Sequence, residues 1–269
     1  HSIDIELRDE GSRFNINNLY HNGAVDTAAL AVFQRLLTQL NLEPDIAVAA
    51  LDYQDADSEV YQDGGDENVV YAQQSNRGAD TALPNQALLS IDQLAEVKGV
   101  DAQVLATLRP YITAVPYYLP ININTASPVL FAALVEGASS QQMQSIIELR
   151  AKQAFSSVDD VWQLPVLSSV KAEQRKALTP LLAVDSQAFM ALITASDNAT
   201  VGQARQRFAT IIISKTAADG DAANSSDNNG NKNSSDANNA NGNANNADNK
   251  KPKEVRVLTQ RLWAFRPIF

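Results

Sequence analysis

The chain opens on Ile3-Asp4-Ile5-Glu6-Leu7, where apolar and charged residues alternate with the period of a half-buried strand, and Gly11 supplies a turn behind it. Asp26 then stands before Leu30, Phe33, Leu37 and Leu40 at helical spacing, and Pro44 opens a second helical run ending near Leu51. From Asp52 to Asn85 this periodicity lapses into an acidic, Gly-bearing stretch of about thirty residues, a length that in a compact domain marks function or disorder. Helical signals resume at Ser90, which forms a capping-box pair with Gln93, with Gly99 as the expected stop. Asp101 is placed to cap a further helix over Ala102 to Leu108, and Pro110 and Pro116 close the unit.

A second helical set follows Ile121-Asn122-Ile123-Asn124-Thr125-Ala126. The spacing predicts helices starting at Ser127-Pro128, at Ser140, at Ser157 with Asp160, and at Ser168 or Ser169. The segment Phe14-Asn15-Ile16-Asn17-Asn18-Leu19 echoes Ile121 to Ala126, as two related helical units in tandem would. Past Val184 the chain turns β-rich, with Phe189 to Thr194 and Phe208 to Ile213, and then Val255, Val257, Thr259 and Arg261 alternating against Arg256, Leu258, Gln260 and Leu262. Between the last two runs, twelve of the 33 residues from Ala217 to Asn249 are Asn and none is an apolar residue larger than Ala. Such a segment cannot offset its ordering entropy, so 216–253 is expected to be a disordered loop.

The first strand can rejoin the last three only around an insertion. The expected fold is therefore α+β, an antiparallel β lobe formed by 1–13 and 186–269 around a large inserted all-helical domain. That domain divides into a first helical module, 14–117, carrying the acidic loop 52–85, and a second, 118–185.

Composition narrows the functions. With 269 residues and 45% hydrophobic content, the chain can bury a sizeable core without metal or disulfide staples, and it has no cysteine to form one. A formal net charge of -10 opposes the counterion release behind most nucleic-acid affinity, so nucleic acid is not an expected partner. No apolar run approaches the roughly 20 residues of a membrane helix. The two histidines, His1 and His21, sit near the start, and neither a Gly-x-Ser-x-Gly elbow nor a phosphate-cradling glycine loop occurs. The activated groups of general-base or covalent catalysis are missing, and no enzyme is expected.

Two constellations carry possible chemistry. Asp52, Asp55, Asp57 and Glu59, then Asp63, Asp66 and Glu67, gather oxygen ligands in one loop, as hard cations such as calcium require; a solvated acidic loop has the same composition. It is not an EF-hand, since counting from Asp55 the glycine position holds Val60 and the twelfth position Asp66. The second constellation is Ile121 to Val170, which resembles helix-hairpin-helix, or SAM-like, DNA-binding modules in its Ile121 entry, its Ile146-Ile147-Glu148-Leu149-Arg150 helix and its Phe155 to Val161 segment. Those modules aim a two-glycine hairpin at phosphate, whereas this chain has Glu136-Gly137-Ala138-Ser139, with a carboxylate beside a lone glycine. A nucleic-acid-binding module is the alternative reading.

Taken in order, Arg13 to Leu19, Leu51-Asp52-Tyr53-Gln54-Asp55-Ala56-Asp57, Gly65-Asp66-Glu67 before Tyr71, and Ile121 to Ala126 resemble the K-type minor pseudopilins of bacterial type II secretion. The resemblance implies a pilin-like β lobe with a helical insert of two helix-hairpin-helix modules. It implies a non-enzymatic subunit at the pseudopilus tip, capping and helping initiate the filament that exports folded proteins, with the I and J minor pseudopilins as partners. It implies a periplasmic location and an inner-membrane anchor, a helix upstream of His1. Calcium in the acidic loop is implied as well, with Asp55, Asp57 and Glu67 as ligands and Asp52 and Asp66 as further candidates. The tryptophan associated with the second landmark is replaced by Tyr53.

Overall fold

The computed structural model describes residues 2–72, 83–197, 205–216 and 254–269, with backbone alone at 68, 72, 205, 216 and 254. The segment expected to be a disordered loop, 216–253, lies outside the described residues apart from Thr216, as do residues 73–82 of the acidic stretch. The molecule mixes helix and sheet. β1 (Ser2–Asp9) leads through a 3₁₀ turn into β2 (Phe14–Asn15), the short ribbon β3 (Tyr20–His21) and β4 (Ala24–Val25), and the helices α1 (Thr27–Gln39), α2 (Ile46–Asp52) and α3 (Glu67–Ala72). After α4 (Ala102–Leu108) come β5 (Ile112–Thr113) and β6 (Ile121–Asn122), then α5 (Pro128–Leu134), α6 (Ser140–Lys152), α7 (Val158–Trp162), α8 (Ala172–Leu178) and β7 (Leu182–Ala183). The long strands β8 (Ala188–Asp197), β9 (Arg205–Thr216) and β10 (Glu254–Trp263) end the chain.

Four strands form one antiparallel sheet in the order β1-β8-β9-β10. β1 pairs with β8 from Ser2 opposite Ser196 to Asp9 opposite Phe189, so everything from Glu10 to Gln187 is inserted between two adjacent strands. That insert is not all-helical as expected: a two-stranded ribbon, β3 with β4, and two parallel strand pairs lie within it, each strand only two residues long and so without a periodic signal in the sequence. β2 pairs with β5, closing the segment from Phe14 to Thr113, and β6 pairs with β7, closing the segment from Ile121 to Ala183. The sequence echo thus falls on two equivalent pieces of structure, each a strand that meets the end of its own helical segment.

Buried asparagines explain why those echoing segments are rich in Asn. Asn15 donates to the carbonyls of Val115 and Tyr117 and accepts from the Val115 N–H, while Asn17 clamps Leu88 through both its amide nitrogen (2.9 Å) and its oxygen (2.8 Å). Asn124 does the equivalent for the second segment, donating to the carbonyls of Phe155 and Val184 and accepting from the Phe155 N–H. A primary amide supplies both donor and acceptor, so it can replace a missing ladder partner for backbone groups held away from water.

Local signals place most helices. Asp26 accepts from the N–H groups of Ala28 and Ala29 to cap α1, whose buried face carries Leu30, Phe33, Leu36 and Leu37 and stacks Phe33 on Phe14 with ring centroids 5.4 Å apart. Ser90 with Gln93 and Ser157 with Asp160 form the expected capping boxes, although the first opens a 3₁₀ helix. The cap of α6 falls on Ser139, because Gln142 reaches back to the Ser139 N–H at 2.8 Å. α8 starts at Ala172, since Ser168 belongs to the preceding 3₁₀ turn closed by its hydroxyl bond to the Pro165 carbonyl. The helices α1, α5 and α6 pack in series around one apolar cluster running from Phe14 to Leu182, and Trp162 is buried in it with its indole N–H on Thr179.

Two features of the sheet depart from the pattern read in the sequence. β1 is not half buried: Ile3, Ile5 and Leu7 are 68%, 62% and 66% exposed. They share one face with Phe189, Ile193, Ile211, Ile213, Val257 and Leu262, and nothing among the described residues covers it. A bulge between Val257 and Thr259 also breaks the alternation of β10, so Val255 and Val257 share that face with Gln260 and Leu262, while Thr259 lies opposite Ile212 on the other. That second face meets the helical body through Val115, Leu119 and Ala188. At the junction, Asp9 accepts from the hydroxyls of Thr125 and Ser186, and the fully buried Glu10 accepts from Arg8 and from the Thr113 hydroxyl.

Candidate metal centre

Residues 52–72 of the acidic stretch fold back on themselves. Asp52 ends α2, Asp55 lies in the turn behind it, and the chain doubles back so that Glu67 opens α3 beside both. The return is held by backbone bonds from the Glu67 N–H to the Ser58 carbonyl (3.1 Å) and from the Val60 N–H to the Gly65 carbonyl (3.0 Å). Gly65, at φ +98°, takes a conformation that an L side chain would resist.

This brings three carboxylates together with one oxygen of each within 4.8 Å of the others: Asp52, Asp55 and Glu67, exposed by 0%, 3% and 1%. Asp52 is anchored, one oxygen accepting from the Tyr61 N–H at 3.1 Å and the other from the Tyr71 hydroxyl. The other two are not fully satisfied. Asp55 Oδ1 and Glu67 Oε1 are buried without a hydrogen-bond partner, an arrangement that costs several kcal/mol for a charged group unless something positive faces it.

The electrostatics carry the same message. Burial, reinforced by Asp57 and Asp52, pushes the Asp55 carboxyl up to about 7. Burial, reinforced by Asp55, Asp52, Asp57 and Asp66, pushes Glu67 up to about 8. Asp52 is raised by burial too, against the opposing pull of its bonds from Tyr71 and Tyr61, and the Tyr71 hydroxyl is raised by burial and by the carboxylate it serves. A divalent cation inverts this logic, converting mutual repulsion into shared attraction. Three carboxylates with free lone pairs fit a hard, oxygen-seeking ion such as calcium, and no nitrogen or sulfur donor belongs to the cluster.

The remaining residues singled out in the sequence lie outside the cluster. Asp57 is exposed and accepts from the Glu59 N–H at 2.9 Å, and Asp66 is exposed and bridges to Glu59 through the backbone. Tyr71 has a role that residue type alone does not announce, because its value is a hydroxyl delivered from α3 onto Asp52. At the hairpin of the second helical segment, Gly137 has φ +72° and Glu136 is exposed beside it, a carboxylate where a phosphate-binding loop needs free N–H groups.

Comparison with known proteins follows the same outline. Two family models, both described as type II secretion system (T2SS) protein K, match residues 12–117 and 121–185. Similar curated proteins, all called type II secretion system protein K, include one from Klebsiella pneumoniae, 30% identical over 198 residues, covering 69% of this chain and 59% of that protein. One from Pseudomonas aeruginosa is 28% identical over 162 residues, covering 59% of this chain and 47% of that protein. The chain spans about half the length of the curated relatives it matches. Among solved structures, the GspK-GspI-GspJ complex of the enterotoxigenic Escherichia coli type 2 secretion system contains a chain of the same fold, with a TM-score of 0.68 at 22% identity, covering 97% of this chain and 79% of that one.

Proposed function

The chain belongs to the type II secretion system protein K family, and on that premise we propose that it is a minor pseudopilin, a non-enzymatic subunit that caps the pseudopilus and helps initiate it. The carrying observation is the β1–β8 pairing, which inserts the whole helical body between neighbouring strands of a small sheet. Subunits of a filament stack by repeating one contact, and a subunit whose head is widened by such an insert suits the free end, where nothing must be seated above it. The similar fold crystallised with GspI and GspJ supports I- and J-type minor pseudopilins as its partners. Mixing the purified chain with the I and J proteins should give a complex that co-elutes in gel filtration; separate elution at micromolar concentrations would reject the assignment.

The finer parts of this reading rest on particular features. The insert is read as two helix-hairpin-helix modules, 14–117 and 118–185, on the strength of the parallel closures β2–β5 and β6–β7 and their matching Asn clamps. The β lobe, 1–13 with 186–269, is read as pilin-like. Its open apolar face is a surface on which an upstream apolar helix could lie, consistent with a periplasmic protein anchored in the inner membrane. Among the described residues no helix is long and apolar enough to cross a membrane. Asp52, Asp55 and Glu67 are the side chains that would hold calcium, with Asp57 and Asp66 as outer charges. Bound there, the ion would supply positive charge that pins α3 to α2. Calorimetric titration with calcium tests this part separately.

A further inference from the structure

A cavity of about 300 Å³ lies between the inner face of the sheet and the first helical segment. Its floor is one row of the sheet, Arg8, Met190, Ile212 and Thr259, which lie side by side across all four strands. The segment from Leu89 to Asp92 and Arg109 form one wall, and the chain's last residues form the other, crossing back from β10 to β1. That crossing is pinned by Arg266 on Glu6 at 2.6 Å and by the Arg8 guanidinium 5.0 Å from the centre of the Phe269 ring.

Four guanidinium groups converge here from distant points of the sequence: Arg8, Arg109, Arg261 and Arg266. In a chain of net charge -10 this clustering does not come from composition. Asp92 is the one carboxylate among the lining residues. Asp92, Glu10 and Glu6 pair with Arg109, Arg8 and Arg266, which among the described residues leaves Arg261, bonded to the Leu89 carbonyl, as the one guanidinium of the four matched to no carboxylate. Each guanidinium carries five N–H donors in a planar fork suited to a carboxylate. Arg109 is matched with Asp92, and Arg261 donates to the Leu89 carbonyl at 3.0 Å, so both retain donors for a further acceptor. Beside them the lining mixes the hydroxyls of Ser90, Thr113, Thr210 and Thr259 with apolar side chains, of which Leu89 and Ile268 are 54% and 78% exposed at the rim.

We propose that this cavity binds an acidic peptide segment of a partner protein, with an Asp or Glu side chain between Arg109 and Arg261 and a neighbouring apolar side chain against Leu89 and Ile268. The volume is at the low end of ligand pockets, about 300–1,000 Å³, and suits two or three residues of a peptide. Charge complementarity decides for an acidic partner over a basic or neutral one, and the apolar rim decides for a peptide over a bare anion. The proposal is independent of both the metal centre and the filament-tip assignment.

The test uses the whole chain, titrated calorimetrically at low salt with acetyl-Leu-Asp-Leu-Glu-Phe-amide, with the analogue carrying Asn and Gln in place of Asp and Glu, and with inorganic phosphate. The acidic peptide should bind at least about tenfold more tightly than either, the size expected for a charge-assisted fork. Arg109→Gln and Arg261→Gln should each weaken it by at least about threefold with melting midpoints unchanged, and Lys215→Gln, a cation on the opposite face of the sheet, should leave it unaltered. Equal binding of acid and amide peptides, phosphate binding as tight as the peptide, no binding of the acidic peptide, or indifference to Arg261→Gln would each overturn the proposal.

Discussion

In chelator the protein's stability should fall as pH rises, and adding calcium should abolish most of that fall. In the metal-free native state Asp55 and Glu67 titrate near 7 and 8, against ordinary values of 3.8 and 4.5. An acid with a raised native pKa favours the folded state most below its unfolded value, and that advantage drains away as pH climbs to the native value. The two groups interact and lose protons as a pair. Taking one retained proton for the pair, stability drops by about 1.4 kcal/mol per pH unit, or about 2.7 kcal/mol between pH 5 and pH 7. For a chain of this size that is roughly 5–10 °C in melting midpoint. Calcium at a hundredfold excess over its dissociation constant contributes about 2.7 kcal/mol to the native state and so offsets the loss. The assay is thermal melting from pH 5 to pH 8 in chelator and in calcium, for the natural chain and for Glu67→Gln, which keeps the shape and removes a charge. The gap between chelator and calcium curves should widen with pH in the natural chain and shrink in the variant. Coincident curves at pH 7.5, or a gap that Glu67→Gln leaves untouched, would refute the metal centre.

Other consequences concern the scaffold. Asn17→Ala leaves the Leu88 N–H and carbonyl without their side-chain partner in the core, which should cost about 3 kcal/mol by chemical denaturation. Glu10→Ala strips the buried partner from Arg8 and Thr113 and should destabilise by about 3–5 kcal/mol, lowering the melting midpoint and loosening the sheet from the insert in amide exchange. Gly99→Ala sets a Cβ 3.1 Å from Ile46 Cγ1 at φ +82°, and a loss of about 1–2 kcal/mol should appear in the same denaturation assay. Tyr71→Phe removes the hydroxyl that orients Asp52, and calorimetry should show calcium bound several-fold more weakly while the fold persists.

Where a residue's role is set by its immediate neighbours in the chain, it was legible in advance. Asp26, Asp101 and Ser157 cap helices because a short side-chain oxygen reaches the first-turn N–H groups from that position alone. The acidic loop was visible as a concentration of carboxylates, but its partition was not. Asp55 and Asp57 are two residues apart, and only the turn after α2 buries one and exposes the other. Ile3, Ile5 and Leu7 show the opposite failure: their alternation correctly announced a strand, and their apolar side faces outward because what a strand face packs against is not written in its period.

Sequence alone therefore determined the long strands, most of the helices, the interruption of a β lobe by a largely helical insert, and the excess of negative charge, since these follow from local periodicity, capping and composition; the two-residue strands β2 to β7 and the short α3 are too brief to leave a periodic signal. Tertiary structure decided which carboxylates meet, which aspartate is anchored by Tyr71, and how Arg8, Arg109, Arg261 and Arg266 come to share one cavity. The carboxylates meet through the backbone bonds that fold Glu67 back on Ser58, and the arginines meet only because β1 pairs with β8 across almost the whole chain, a contact no short window of sequence contains.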